Sequence, residues 1–170
     1  YFDSDAENAY FAIVTSVPEN GWLAIGDLAL DIDRNGNYEY GIALHGDVKG
    51  RVYKDPTWTE PYYFPESEPC RIISGEYTGD GSVRYNNSRI YDNGRTNYII
   101  EISVPRAALG NPSSGQLSNL HATITCGNDV IGIEDVIWEE IPEFTTIAIP
   151  AGMILGLFYF YRRKRQSREE

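Results

Sequence analysis

An uncharged apolar run near the C-terminus limits the architectures open to this chain. It covers the eighteen residues 144–161 and ends at four basic residues, Arg162, Arg163, Lys164 and Arg165. As an α-helix it would span about 27 Å, close to the hydrocarbon thickness of a bilayer. The run therefore predicts one transmembrane helix in contact with membrane lipid, and the basic cluster predicts a cytoplasmic tail over 162–170. The alternative is a buried core helix with a solvated basic tail, although such a helix usually keeps a polar face.

The charge of the preceding residues is strongly negative. Residues 1–143 contain nine Lys or Arg and twenty-three Asp or Glu, a net of −14, and residues 162–170 contain five and two, a net of +3, which together give the formal −11. A nucleic-acid-binding surface needs clustered basic side chains, so this class of partner is excluded. The acidic body is expected outside the cell. The chain begins at Tyr1 and its one Met is Met153, so we expect preceding residues, either a removed secretory signal or a trimmed N-terminus.

Short apolar runs broken by Gly, Asn, Asp and Pro fill residues 8–133. Many short strands separated by turns predict an all-β domain, an antiparallel β-sandwich or jelly roll, which we place at residues 1–135. One helical turn is expected at 105–109, where Pro occupies the first position. A linker over 136–143 would join this domain to the apolar run. The predicted strands are 9–17, 23–33, 37–44, 51–54, 71–74, 82–85, 97–104 and 120–126.

The hairpin around Asn35 and Gly36 can be placed in register from the sequence. A two-residue turn would pair Ile32 with Glu39 and mix the two faces of the hairpin. A three-residue loop with Gly36 in the left-handed conformation instead gives one apolar face. The expected pairs are therefore Ile32–Tyr38, Leu30–Tyr40 and Leu28–Ile42.

The opposite face of this hairpin would place Asp31 across from Glu39 and Asp33 across from Asn37. Like charges in such positions are destabilising unless a cation binds, and hard oxygen ligands favour Ca²⁺. The segment 31–36 also matches the opening of an EF-hand loop, but the Glu that closes such a loop is missing, so this is not an EF-hand. A solvated acidic face is the alternative. The candidate calcium ligands are Asp31, Asp33, Asn35, Asn37 and Glu39.

The cysteines and one sequon are further candidates for covalent chemistry. Cys70 and Cys126 would form a disulfide outside the cell, worth about 4 kcal/mol in the chain-entropy account. Two free buried thiols are the alternative. A zinc centre is not expected, because neither His45 nor His121 stands at ligand spacing from a Cys. Asn86 begins an Asn-Asn-Ser sequon and is a candidate glycosylation site.

Residues 53–69 are rich in Pro and aromatic side chains. No strand is expected to run far through them, because Pro cannot donate to a strand ladder. Aromatic side chains on a loop can stack on sugar rings or anchor a partner. Alternatively, the loop folds its rings back over the end of the sandwich. The candidate ligand-binding aromatics are Trp58, Tyr62, Tyr63 and Phe64.

The C-terminal residues resemble a known sorting signal. Pro142, Glu143 and Phe144 lead into the apolar run, which contains Pro150 and Gly152 and ends in Arg and Lys. This order resembles the archaeal PEF-CTERM sorting domain, the counterpart of bacterial PEP-CTERM tails. The resemblance implies a cell-surface protein that is the substrate of an archaeosortase, an integral-membrane cysteine transpeptidase. It also implies that the enzyme recognises Pro142, Glu143 and Phe144 and that the tail is removed near them.

Parts of the body resemble other families more loosely. Residues 26–31, 38–42 and 125–129 are similar to uncharacterised PEP-CTERM-type surface domains and to the β-sandwiches of carbohydrate-binding family 9 and DOMON modules. The similarity implies a binding module in which calcium can be structural. It carries over no sugar-contacting residue.

Three functional classes follow from these observations. We expect a sorted cell-surface protein that displays a binding or structural module, with polysaccharide or other envelope components as candidate partners. A calcium-dependent structural subunit of the envelope is the alternative. A glycan-active enzyme is not expected, because the sequence has no phosphate loop, zinc motif or nucleophile elbow. Asp31 and Glu39 are spaced like a retaining glycosidase pair but lie beside a hairpin tip.

Overall fold

The computed structural model describes residues 1–19, 21–92 and 95–139. Within these ranges the chain forms antiparallel strands and three short 3-10 turns, at Gly46–Val48, Pro65–Ser67 and Arg106–Leu109. The strands are β1 (Phe2–Ser4), β2 (Asn8–Thr15), β3 (Leu28–Asp31), β4 (Tyr40–Ile42), β5 (Arg51–Thr59), β6 (Arg71–Asp80), β7 (Ser82–Asp92), β8 (Arg95–Pro105), β9 (Leu117–Thr123) and β10 (Val130–Ile137).

The strands form two sheets that face each other. One has the order β1-β2-β8-β7 and the other the order β10-β9-β3-β4-β5-β6. Alternate side chains of both sheets share one buried cluster, so each strand turns its apolar face inward. Ile100, Ile102 and Val104 of β8 belong to this cluster, as their alternation with polar neighbours predicts. The all-β antiparallel sandwich is therefore confirmed.

Two of the three predicted pairs of the β3–β4 hairpin are confirmed. Leu28 pairs with Ile42 and Leu30 pairs with Tyr40. The strands are shorter than predicted, however, because β3 ends at Asp31 and β4 begins at Tyr40. The predicted three-residue loop and the Ile32–Tyr38 pair are wrong, because the eight residues 32–39 form an open loop between the strands. We call it the acidic loop. Gly36 is left-handed in it, with φ of 89°.

The prediction that no strand runs far through residues 53–69 is wrong for the first part of this segment. Strand β5 continues to Thr59 and pairs with β6 along this length. The Pro is accommodated because the ladder shifts register between Lys54 and Thr57, so that Pro56 lies in the irregularity. Asp55 beside it has φ of 47°. The neighbouring β4 is also too short to require an N–H from Pro56.

The folded body reaches further toward the C-terminus than residue 135. Strand β10, which the sequence did not suggest, ends at Ile137, and Trp138 is completely buried. The compact unit comprises Tyr1–Glu139. Pro142, Glu143, Phe144, the apolar run and the basic cluster lie outside the described residues. Among the residues that are described, no helix has the length and apolar character of a membrane span.

Candidate functional site

The acidic loop brings three carboxylates together. One oxygen each of Asp31, Asp33 and Glu39 lies within 4.8 Å of the others. Asp31 is held at the end of β3, where its Oδ1 accepts the Asn35 N–H at 3.0 Å and its Oδ2 accepts the Gly36 N–H at 3.1 Å. Glu39 Oε2 accepts the N–H of residue 32 at 2.8 Å. The backbone of the loop therefore folds around the carboxylates.

Glu39 carries the unusual atom of this cluster. Its Oε1 is inaccessible to solvent and has no hydrogen-bond partner among the described residues. Burial raises the pKa of the Glu39 carboxyl, and the negative charges of Asp33 and Asp31 act in the same direction, against the Ile32 N–H that Oε2 accepts. An unpaired buried carboxylate oxygen is costly, and a cation would relieve that cost.

Three of the five predicted calcium ligands are thus brought together. Two oxygens that bind one Ca²⁺ from opposite sides are about 5 Å apart, so the carboxylate spacing suits this ion. Asn35 Oδ1 instead accepts the Asn37 N–H at 2.7 Å, which directs it into the loop backbone. Asn37 is exposed and lines a neighbouring groove. The donor set fits a calcium ion that completes its coordination with backbone carbonyls or water.

The groove beside the acidic loop encloses about 470 Å³. Tyr38 and Trp58 supply aromatic walls, and Asn37 and Glu68 supply polar groups. Trp58 packs over β4, because a Cβ on Gly41 would lie 2.6 Å from its ring. This close approach needs glycine at position 41. Trp58 therefore folds back onto the sandwich and still borders an open groove.

The other candidate aromatics project from the surface. The exposed fractions of Tyr62, Tyr63 and Phe64 are 72%, 68% and 43%. Their backbone is fastened to the sandwich, since the Tyr62 N–H donates to the Thr125 carbonyl at 2.9 Å. We call these three side chains the aromatic ridge. Trp58, the fourth predicted ligand-binding aromatic, instead borders the groove, whose lining does not include these three side chains.

A second polar feature, centred on Asp27, was not identified from the sequence. Its carboxylate is completely buried and accepts the N–H groups of Leu44 and Ile72, each at 2.8 Å. His45 Nδ1 lies 2.8 Å from the same carboxylate. Asp27 therefore fastens the segment before β3 to the end of β4 and the start of β6. The one sequence feature that could have indicated a buried Asp27 is its position inside an apolar run.

A third feature secures the C-terminal end of the body, and we call it the C-terminal clamp. Trp138 donates from Nε1 to Ser118 Oγ at 2.8 Å, and Glu139 N–H donates to Ser4 Oγ at 2.9 Å. The buried Arg106 guanidinium lies 5.5 Å from the centre of the Trp138 ring. It also donates to the carbonyls of Asp5, Pro112 and Glu139. No sequence pattern predicts this clamp.

The predicted disulfide is not formed. Cys70 and Cys126 are both buried free thiols. The Cys126 thiol is directed to Asn128 Oδ1, to which it donates at 3.0 Å, and burial raises the pKa of the Cys70 thiol. Asn86 of the sequon is exposed on β7, and its amide donates to Glu101 at 2.9 Å. Its glycosylation stays a prediction.

Comparison with known proteins identifies the C-terminal segment. Residues 141–165 match the family model of the PEF-CTERM archaeal protein sorting domain. No curated protein matches the chain, and no solved structure matches it. A sorting domain of this kind implies an extracellular protein of the cell surface that a sortase-like enzyme processes. The resemblance drawn from Pro142, Glu143 and Phe144 is thereby confirmed.

Proposed function

We propose that this protein is sorted to the archaeal cell surface and processed by an archaeosortase, which displays the β-sandwich body outside the cell. The match of residues 141–165 to the sorting domain carries the proposal. The proposed recognition residues are Pro142, Glu143 and Phe144. The uncharged run 144–161 would anchor the precursor in the membrane until the tail is removed.

The charge distribution supports this orientation. The basic residues that follow the apolar run favour the cytoplasmic side, whereas the acidic body carries a net of −14. The proposed topology therefore places the folded domain outside and residues 162–170 inside before processing.

The intact mass of the mature protein tests this proposal. Protein extracted from cells that contain an archaeosortase should end near residues 142–144, and protein from a strain without the enzyme should extend to Glu170. Replacing Pro142, Glu143 and Phe144 together by Ala should block processing. The matched control replaces Thr145 and Thr146 by Ala. If the mature protein is full-length in both strains, the C-terminal segment is not processed and acts only as a membrane anchor.

We infer that the body binds a saccharide of the cell envelope. The aromatic ridge and the groove between Tyr38 and Trp58 support this inference, because aromatic faces next to polar groups suit the apolar faces and hydroxyls of sugar rings. Binding is favoured over cleavage because both Asp31 oxygens already accept backbone N–H groups. Asp31 is also only 3% exposed, which leaves little access for a substrate.

Retention on immobilised envelope polysaccharide tests the saccharide proposal. Replacing Tyr62, Tyr63 and Phe64 by Ala should weaken retention at least about tenfold, since each stacked ring contributes about 1 kcal/mol. Ile73 and Tyr77 of β6 are also exposed, and their replacement by Ala is the matched control. Equal retention of all variants would favour a structural envelope subunit, and release of oligosaccharide would show an enzyme.

The calcium-dependent structural role is a second candidate, favoured by the unpaired Oε1 of Glu39. Ca²⁺ that binds only the folded body should raise its stability by about 2.7 kcal/mol at one hundred times Kd. Glu39→Gln should abolish this response, and Glu134→Gln, at an exposed position, should keep it. If neither calcium nor a chelator changes the melting temperature, the acidic loop binds no calcium and is a solvated acidic face.

A further inference from the structure

The last described residue of the body is held at both of its backbone polar groups. The Glu139 N–H donates to Ser4 Oγ at 2.9 Å, and the Ser4 hydroxyl donates to the Glu139 carbonyl at 2.8 Å. Arg106 Nη1 donates to the same carbonyl at 3.3 Å. Ser4 is only 1% exposed, so water does not readily replace these contacts. Glu139 is therefore fixed both to Ser4, near the start of the chain, and to Arg106.

Trp138 fixes the preceding position. Its backbone N–H donates to the Gln116 carbonyl at 3.0 Å, and its carbonyl accepts the Gly115 N–H at 2.7 Å. Its completely buried ring packs edge-on against Phe2, with 5.0 Å between ring centres. The C-terminal clamp thus combines backbone hydrogen bonds with an aromatic anchor.

The clamp ends very close to the sorting segment along the chain. Two residues, Glu140 and Ile141, separate Glu139 from Pro142, and the match to the sorting domain begins at residue 141. A chain extends at most about 3.6 Å per residue, so the chain between these two positions can reach only about 11 Å when fully extended. A closed clamp therefore leaves the processing enzyme almost no free chain before the motif.

We propose that the C-terminal clamp must open before the sorting motif is processed, so that the local stability of the clamp sets the rate of processing. This inference rests on the proposed function. An enzyme that acts on a peptide bond usually binds its substrate as an extended segment on both sides of that bond. Release of residues 138 and 139 would double the free chain ahead of Pro142.

Such control requires only local opening. Segments at the end of a domain open with much less free energy than the whole domain, and the open fraction is set by the contacts that are broken. The clamp would therefore slow processing without any contribution to the chemistry of the enzyme. Removing one contact of the clamp should accelerate processing in proportion to the gain in the open fraction.

The Ser4→Ala variant of the full-length chain tests this relation. We expect about a tenfold faster loss of the tail in cells, which corresponds to about 1.4 kcal/mol in the opening equilibrium. Hydrogen exchange of the Glu139 amide, measured on the full-length chain in detergent, should accelerate by a similar factor. Thr59→Val is the matched control, because it removes a hydroxyl that accepts the Arg71 N–H at 3.2 Å, and neither residue belongs to the clamp. Its processing rate should equal that of the wild type.

A linker variant distinguishes chain length from other effects of Ser4. Six Gly and Ser residues inserted after Glu139 should give fast processing that Ser4→Ala no longer changes. If Ser4→Ala leaves processing or Glu139 exchange unchanged at the native spacing, the clamp does not control processing. The same conclusion follows if Ser4→Ala accelerates processing equally with the linker present. Absence of processing in the wild type and in every variant would instead contradict the proposed function itself.

Discussion

Gly26 lies where two backbone carbonyls leave no room for a side chain. A Cβ at this position would be 2.4 Å from the Cys70 oxygen and 2.8 Å from the Thr123 oxygen. Backbone atoms cannot rotate away as the end of a side chain can, and the Gly26 N–H already donates to Thr123 at 2.7 Å. The tight packing here therefore depends on glycine.

We expect Gly26→Ala to lower the free energy of unfolding by about 2–3 kcal/mol, measured by urea denaturation. Gly132→Ala is the control, because no described heavy atom lies within 4 Å of a Cβ at that position. Its effect should stay within about 0.5 kcal/mol. Equal denaturation midpoints for the two variants would show that the backbone at Gly26 can move aside.

His121 should make the stability of the body depend on pH. Burial lowers the pKa of its imidazole, against the hydrogen bond to the Ser67 carbonyl at 3.2 Å. Below about pH 6.5 the unfolded chain binds a proton that the folded chain does not. The contribution of His121 to the free energy of unfolding is therefore intact above that pH and is lost as the pH falls toward the lowered folded pKa.

The slope from this one proton cannot exceed about 1.4 kcal/mol per pH unit. Urea denaturation of the wild type and of His121→Gln between pH 5 and 7.5 measures the difference. Glu39 acts in the opposite direction at lower pH, because its pKa is raised, but it is present in both proteins and cancels in the comparison. Parallel curves would show that folded His121 takes up the proton as readily as the unfolded chain.

The residues of the candidate sites differ in how visible they are in the sequence. Asp31, Asp33 and Glu39 could be found because they lie within nine residues of one another on one predicted hairpin. The contact between Ser4 and Glu139 joins positions 135 residues apart. Patterns of residues that are close together in the sequence cannot predict a contact between positions so far apart. The clamp therefore required the structure.

Among the elements, the β3–β4 register was predictable because one choice alone placed Leu28, Leu30 and their partners on a single apolar face. Strand β10 was missed for a physical reason. Its ladder shifts between Ile133 and Val136, and Asp135 has φ of 58°, which interrupts the alternation of side chains. Alternation predicts regular strands well, whereas a bulge removes the signal.

The residue that follows β10 should contribute strongly to the stability of the sandwich. Trp138 is completely buried, whereas Trp22 is 77% exposed. We expect Trp138→Ala to cost about 3–5 kcal/mol and Trp22→Ala less than about 0.5 kcal/mol. Urea denaturation measures both values. Similar losses in the two variants would mean that the Trp138 side chain is not packed in the core.

At the scale of the whole molecule, the chain combines an acidic body with a basic C-terminus. Residues 1–143 carry −14 and residues 162–170 carry +3. Two features of the C-terminal segment, its basic charge and its sorting domain, are therefore expected to have different roles in localising the protein. In the proposed topology, the basic residues beside the apolar run set its orientation in the membrane, and the sorting domain directs the processing that follows.

The proposed orientation can be tested before processing, in cells that lack the archaeosortase and carry an epitope after Glu170. Protease added to intact cells should digest the body and leave the epitope protected. Replacing Arg162, Arg163 and Lys164 by Gln should lower the protected fraction, because positive charge next to the apolar run retains that end in the cytoplasm. Arg168→Gln, further from the run, is the control and should change the fraction less. A digested epitope together with a protected body would reverse the topology, and the body could not then be a surface module.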